Sequence, residues 1–455
     1  MSIQGKLPSI AAIAATLSLH LTACDLDVPD LNNPGIDDLE KNPTRAGVSA
    51  ACTGLLIGNR RNRAQANGYV AQLGIVGREA YNFDQADPRF IGELLQGNLA
   101  AGSPFGGNFW AGPYANIRLA NTVLKATDKV ADFSAEQKAG IVGFVKTTEA
   151  IDLLEVIVTR DDIGAVIDTD RPIDGPLGPI VDKDAVYAKI AALLDEGATS
   201  LTMAGDSFVF ALSNGYAGFD DPASYRTFNR AIRARVAVYT GDYATALTAL
   251  GESFINPTPA TQADLDVGVY YSYSLGSGDA VNNLINPNIF AHPSLKTDAQ
   301  TGDLRLDRKV ATTDMPGSAQ GHTSDLVFTL YPGPDSPVPL IRNEELILLR
   351  SEAEWFSGMK TEAMADLNVV RTKSGGLTAI SGTPTSDAQY IDDLLYEREF
   401  SLLFEGGHRW IDARRFNKLD TLPVETGDQV NKRYPIPLAE CNARPGEPKC
   451  MLTST

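Results

Sequence analysis

Apolar residues recur at helical spacing through most of the first 250 positions. Tyr114, Ile117, Ala120 and Leu124 fall three or four apart, which puts them on one helix face. Thr44–Asn62 reads as an earlier helix. Ser134 followed by Gln137 is a capping-box pair and predicts a long helix to about Arg160. Tyr187, Ile190, Leu193 and Leu194 predict another, from near Asp182 to a stop at Gly197. Two later segments share a small-residue pattern. Ala237 and Tyr239 precede Gly241, with Ala246 five beyond; Ala353 and Trp355 precede Gly358, with Ala363 five beyond. Small residues let two antiparallel helices approach and the glycine turns the chain, as in tetratricopeptide-like pairs. Helices are expected again over 343–373 and 387–405, the second opened by Ser386 and Gln389.

The segments between these helices carry little periodicity. Residues 253–340 are rich in Pro, Gly, Ser, Thr and Asn, and 76–112 are similar on a smaller scale. Irregular segments this long inside a folded chain usually carry function. The expected fold is mainly α, with long irregular loops and little β. Residues 45–455 are expected to form a single domain: a helical core over 45–252 and 341–417, a loop-rich region over 253–340 and a tail over 418–455. The Asp-, Asn- and Pro-rich stretch 24–44 reads as an extended leader.

The N-terminus changes the picture from fold to compartment. Lys6 is the only charge before a mostly apolar run that closes on Leu21-Thr22-Ala23-Cys24. A basic start, a short apolar stretch and small residues before a cut form a secretory signal over 1–23. The cysteine at that point resembles a bacterial lipobox, which makes Cys24 the expected lipid attachment site. The run falls short of the ~20 apolar residues of a membrane span. Contact with a membrane is therefore expected only through the acyl anchor, at ~0.8 kcal/mol per buried CH₂. A net charge of −18 argues against nucleic acid, whose phosphates need clustered Lys and Arg. Cys441 and Cys450 lie nine apart in the tail and fit a disulfide in an oxidising compartment. Cys52, in a helical run, reads as a buried free thiol. His292, His322 and His408 are far apart and no Cys-x-x-Cys occurs, so no His/Cys metal site and no cofactor are expected.

The C-terminal third carries a family likeness. Ile341-Arg342-Asn343-Glu344-Glu345 leads into Leu348-Leu349-Arg350-Ser351-Glu352-Ala353-Glu354. Leu367-Asn368, Val370-Arg371 and Gly375-Gly376 follow, then Glu397-Arg398, Phe404-Glu405-Gly406, His408-Arg409-Trp410, Asp412 and Arg414-Arg415, and finally Tyr434-Pro435-Ile436-Pro437. With Trp110, Tyr114, Ile117 and Asn121 upstream, this series resembles the SusD/RagB family. Ser401 in place of a common Glu, the extra glycine of Gly406-Gly407 and Ala413 in place of a usual Leu depart from the pattern. The resemblance implies a SusD-like fold and a nutrient-binding outer-membrane lipoprotein facing the cell exterior. It also implies a glycan or similar oligomer as ligand and a SusC-like TonB-dependent transporter as partner.

Glycan binding pairs flat aromatic faces with amides, carboxylates and arginines. Two loop clusters supply that mixture: Tyr81, Asn82 and Phe83 with Arg89, and Tyr270, Tyr271 and Tyr273. The second cluster alternates, so it also reads as a short strand with one buried face. Phe105, Phe109 and Trp110 read as core. Glu397, Arg398, Glu405, Arg409, Asp412 and Arg415 form an alternating charged series at a helix junction. Its expected role is structural, with bidentate Arg–carboxylate pairs locking helices around Trp410. No Gly-x-Ser-x-Gly, His-Glu-x-x-His or Walker motif is present, and Gly276-Ser277-Gly278 lacks the third glycine of a dinucleotide fingerprint. The expected function is binding without catalysis. A helical glycoside hydrolase, with two carboxylates flanking a cleft, and a helical-repeat scaffold are the alternatives.

Overall fold

The computed structural model describes residues 36–172 and 174–455. The signal segment and Cys24 lie outside the described residues. So does most of the leader, but Ile36–Lys41 forms a short helix rather than extended chain. Leu39 explains the difference: it is buried, and Lys129 fixes the helix by donating to the Glu40 carbonyl at 2.7 Å.

The body is a succession of helices packed on one another. α1 spans Arg45–Arg60, and Thr44 caps it by accepting from the Gly47 amide. α2 spans Tyr69–Val76, α3 Ala111–Lys129 and α4 Ala135–Arg160. The Ser134/Gln137 box closes in both directions on α4, which is buried nearly all round from Gly140 onward. α5 runs from Lys183 to Thr202, five residues past the expected stop. Gly197 does not end it because it sits at a close helix crossing, where an added Cβ would lie 3.2 Å from the Gly143 carbonyl of α4. A side chain there would push the two helices apart.

α6 (Pro222–Thr240) and α7 (Tyr243–Gly251) form one hairpin; α8 (Asn343–Phe356) and α9 (Lys360–Lys373) form the other. Their turns use Gly241 at φ 72° and Gly358 at φ 86°. Ala237, Ala246, Ala353 and Ala363 are all buried, and α8 packs on both α6 and α7, so the two hairpins stack. α10 (Asp387–Ser401) and α11 (His408–Arg415) complete the helical frame. α10 stops four residues before the expected end at 405, and Phe404 turns the chain at φ 58°.

Among the described residues the strands form four two-stranded antiparallel sheets. β1 (Ala80–Asn82) pairs with β5 (Ile289–Ala291), and β2 (Ala165–Val166) with β3 (Ile180–Val181). β4 (Gly268–Tyr271) pairs with β8 (Val338–Arg342), and β6 (Val310–Ala319) with β7 (His322–Phe328). The segment 253–340 thus holds more regular structure than its composition predicts, chiefly the β6–β7 hairpin. β8 runs without a break into α8, so the strand beside β4 is rigidly continuous with the frame.

Candidate functional site

Strand alternation decides which of the expected tyrosines is accessible. β4 shows one face to the core, so Val269 and Tyr271 are buried while Gly268 and Tyr270 are half-exposed. Tyr271 turns inward, with the Arg63 guanidinium 5.1 Å from its ring centre. Tyr273 is buried with Arg60 over its ring at 5.4 Å. Tyr270 stands at a β-bulge against Pro339, and its hydroxyl donates to the Asp266 carbonyl.

Two clefts, of about 570 and 720 Å³, lie against the Tyr270–Ser274 segment and share Asn214, Tyr270, Ser272, Tyr273 and Ser274 as wall. The smaller adds Ile57, Asn59, Arg60, Leu212 and Asp279; the larger adds Phe219, Asp266, Leu275 and Asp335. Leu275 is 74% exposed and Ile57 54%, so each cleft has an apolar face near polar ones. Arg60 ties the wall together by pairing with Asp279 and donating to the Ser272 carbonyl. Ser274 donates to Asp279 at 2.7 Å. The Arg60 hydrogen bond holds the Asp279 carboxyl below its usual range. Gly215 allows the 214–216 turn to close on this wall. A Cβ there would lie 1.8 Å from the Tyr270 carbonyl oxygen.

The other expected cluster is corrected by the structure. Tyr81, Asn82 and Phe83 are buried, at 0%, 2% and 4% exposure. β1 carries them, or ends beside them; it pairs along its edge with a strand some 200 residues away, and His292 and His322 pack against the Tyr81 ring. Tyr81 donates to Glu425 at 2.8 Å and lies 2.9 Å from His292 Nε2. Phe83 packs on Phe290 at 5.4 Å. These rings cannot meet a ligand as they stand. Arg89 is half-exposed but pairs with Asp87 at 2.8 Å, outside both clefts. Burial likewise corrects Tyr271 and Tyr273 as stacking platforms. Asn214, Leu275, Ile57 and Arg60 were not anticipated. The Asn214-Gly215 dipeptide is a turn signal that marks part of the wall.

The charged series at the helix junction divides into separate networks. Arg398 bonds Glu352 at 2.7 Å and Asp412 at 3.2 Å, and Arg415 bonds the same two carboxylates. Glu405 instead accepts from Arg342 at 3.0 Å and Lys309 at 2.8 Å. Glu397 accepts from Arg305 at 2.5 Å and Arg371 at 2.8 Å. Arg409 bonds Glu399 at 3.0 Å. Trp410 is fully buried and donates to the Asn431 carbonyl at 2.7 Å. Burial works to raise the Asp412 and Glu405 carboxyls, but the flanking cations hold both below their usual value. Glu397, Glu405 and Asp412 are thus each held by two cations, and none of them lines either cleft beside Tyr270.

Cys441 and Cys450 form a disulfide and Cys52 is a buried free thiol. Among the described residues no three or more His, Cys, Asp or Glu side chains are grouped to hold a metal ion. Among them, too, no helix is long and apolar enough to cross a membrane.

Residues 333–445 match the sequence profile of the SusD family. No curated protein matches the sequence. Solved structures share the fold over nearly their whole length. A SusD superfamily protein from Bacteroides vulgatus is 14% identical, covering 90% of this chain and 98% of its own, with a TM-score of 0.65. A SusD-like carbohydrate-binding protein from Bacteroides fragilis is 15% identical, covering 89% and 99%, with a TM-score of 0.66. Surface glycan-binding protein A from Bacteroides thetaiotaomicron is 14% identical, covering 90% and 98%, with a TM-score of 0.67.

Proposed function

We propose that this chain, a SusD/RagB-family protein by its fold and its C-terminal match, captures an oligosaccharide in the two clefts beside Tyr270. It holds the sugar for a TonB-dependent transporter and breaks none of its bonds. The observation that carries this reading is the wall from Tyr270 to Ser274. One half-exposed aromatic there stands among Asn, Ser and Asp side chains, between two clefts. A sugar has apolar C–H faces and a hydroxyl rim, and this wall offers a partner for each. Two of the structural relatives are described as carbohydrate- or glycan-binding, which agrees with that chemistry.

The location belongs to the same reading. Cys24 takes the lipid after residues 1–23 are removed, and the body sits outside the outer membrane as a single domain. Binding rather than hydrolysis is supported by the state of two carboxylates at the helix junction. Glu405 and Asp412 are each held by two cations in a buried network.

Calorimetry against a panel of neutral oligosaccharides, with reducing-end release followed in parallel, tests the proposal. We expect binding without release, and a loss of about tenfold, or ~1.4 kcal/mol, in Tyr270→Ala. Protein-dependent release of reducing ends would refute the binding-only function. Unchanged affinity in Tyr270→Ala would remove the site. Cys24→Ala should release the protein from the membrane fraction.

A further inference from the structure

A third cleft, of about 700 Å³, opens where several helix ends meet and shares no lining residue with the two beside Tyr270. Its character is different. The chain carries a net charge of −18, yet here Lys183, Arg414, Arg415 and Lys432 face only Asp161 and Asp420. Arg415 is spent on Glu352 and Asp412 behind the wall. Lys183 and Arg414 both lean on the single carboxylate of Asp161, at 2.8 and 3.5 Å. Lys432 has no ion pair among the described residues, although its carbonyl accepts from Arg414 at 2.8 Å. Cation therefore exceeds anion in a cleft large enough for a ligand.

Two further features point the same way. Asp161, which holds Lys183 and Arg414 in place, adopts φ 48° and ψ −119°. A non-glycine residue in that region is strained and persists only where its surroundings hold it. The cleft also has half-buried aromatics, Tyr243 and Phe416. Tyr243 is braced by stacking on Phe356 at 5.1 Å. Amines beside fixed aromatic rings suit a sugar that carries a carboxylate.

We propose that this cleft is a second binding site, for an acidic saccharide whose carboxylate is taken by Lys432 and Lys183 while a ring lies against Tyr243 or Phe416. The two sites together sort saccharides by charge: neutral units beside Tyr270, uronate units here.

Calorimetry on the purified full-length protein tests this, with a galacturonate trimer as probe and maltotriose as the neutral control. The trimer should bind. Lys432→Gln should weaken it about tenfold, the value of a lost charge-assisted hydrogen bond. Lys183→Gln should weaken it as well, and binding should fall as salt rises from about 0.02 to 0.5 M. Tyr270→Ala should leave this affinity unchanged, so failure here and failure of the Tyr270 site read out separately. A wild-type melting curve for each lysine variant excludes misfolding as the cause. No binding of the trimer would overturn the proposal. So would a loss in Tyr270→Ala equal to that in Lys432→Gln, or tighter binding of a tri-glutamate peptide than of the trimer.

Discussion

Glu352→Gln tests what the buried ion-pair network does. The Glu352 side chain is fully buried and is shared by Arg398 at 2.7 Å and Arg415 at 2.5 Å. Both arginines also contact Asp412. The amide keeps the shape and removes the charge, so the buried Arg398 and the half-buried Arg415 are left with one carboxylate between them. Breaking a buried pair from one side costs about 3–5 kcal/mol, because the orphaned charge stays desolvated. Surface pairs are worth about 0–1 kcal/mol, and Lys125–Asp170, with both side chains more than half exposed, is the matched control. The assay is urea unfolding followed by circular dichroism, comparing midpoints at an unchanged slope. Glu352→Gln should lose several times the stability lost by Lys125→Gln. Replacing Arg398 with Met as well should recover part of the loss, since the imbalance is then smaller. Affinity for a neutral oligosaccharide should not change in Glu352→Gln protein that remains folded. A loss below about 1 kcal/mol would refute the idea that this network locks the helices.

Other expectations follow from single contacts. Glu79 is fully buried, and burial pushes its carboxyl up from 4.5 to about 8. A raised carboxyl favours the fold most below pH 4.5, and that contribution is lost as pH rises through 8. Glu79→Gln should therefore flatten the decline in melting temperature between those values, and an unchanged profile would discount the assignment. Gly215→Ala should cost ligand affinity well before it costs stability, because its Cβ would meet the Tyr270 carbonyl at 1.8 Å and push the 214–216 turn off the site wall; equal losses in both would contradict this. His292 is drawn down to about 3, mainly by burial. Its contribution is present above 6.5 and lost as pH falls through the folded value, so His292→Gln should reduce acid sensitivity in a pH titration of unfolding.

The helical frame was readable because its signals are local. Ser134 and Gln137 sit three apart and cap the helix they announce, and the Ala and Gly positions around Gly241 and Gly358 form the hairpins they predict. Features decided by distant partners were less legible. Nothing near Tyr81 shows that β5, more than 200 residues later, will bury it. The charged series at 397–415 was visible, but its partners Arg305, Lys309, Arg342, Glu352 and Arg371 come from outside it. Two of those cations, Arg305 and Lys309, arise in a segment whose composition reads as loop. The β6–β7 hairpin escaped notice because β6 is mostly exposed and so shows little alternation. Tyr270 was legible as a residue type. Which tyrosine of the three would face outward was fixed by strand register.

The unbroken passage from β8 into α8 has a consequence for how such a protein can diversify. The wall proposed to meet the ligand is fastened through β4 to a strand that shares its backbone with a helix of the frame. New specificity can then come from exchanging the short stretches 211–217 and 272–279, with the frame left as it is. A chimaera carrying those two stretches from a relative should keep its host's thermal stability and take on the donor's preference.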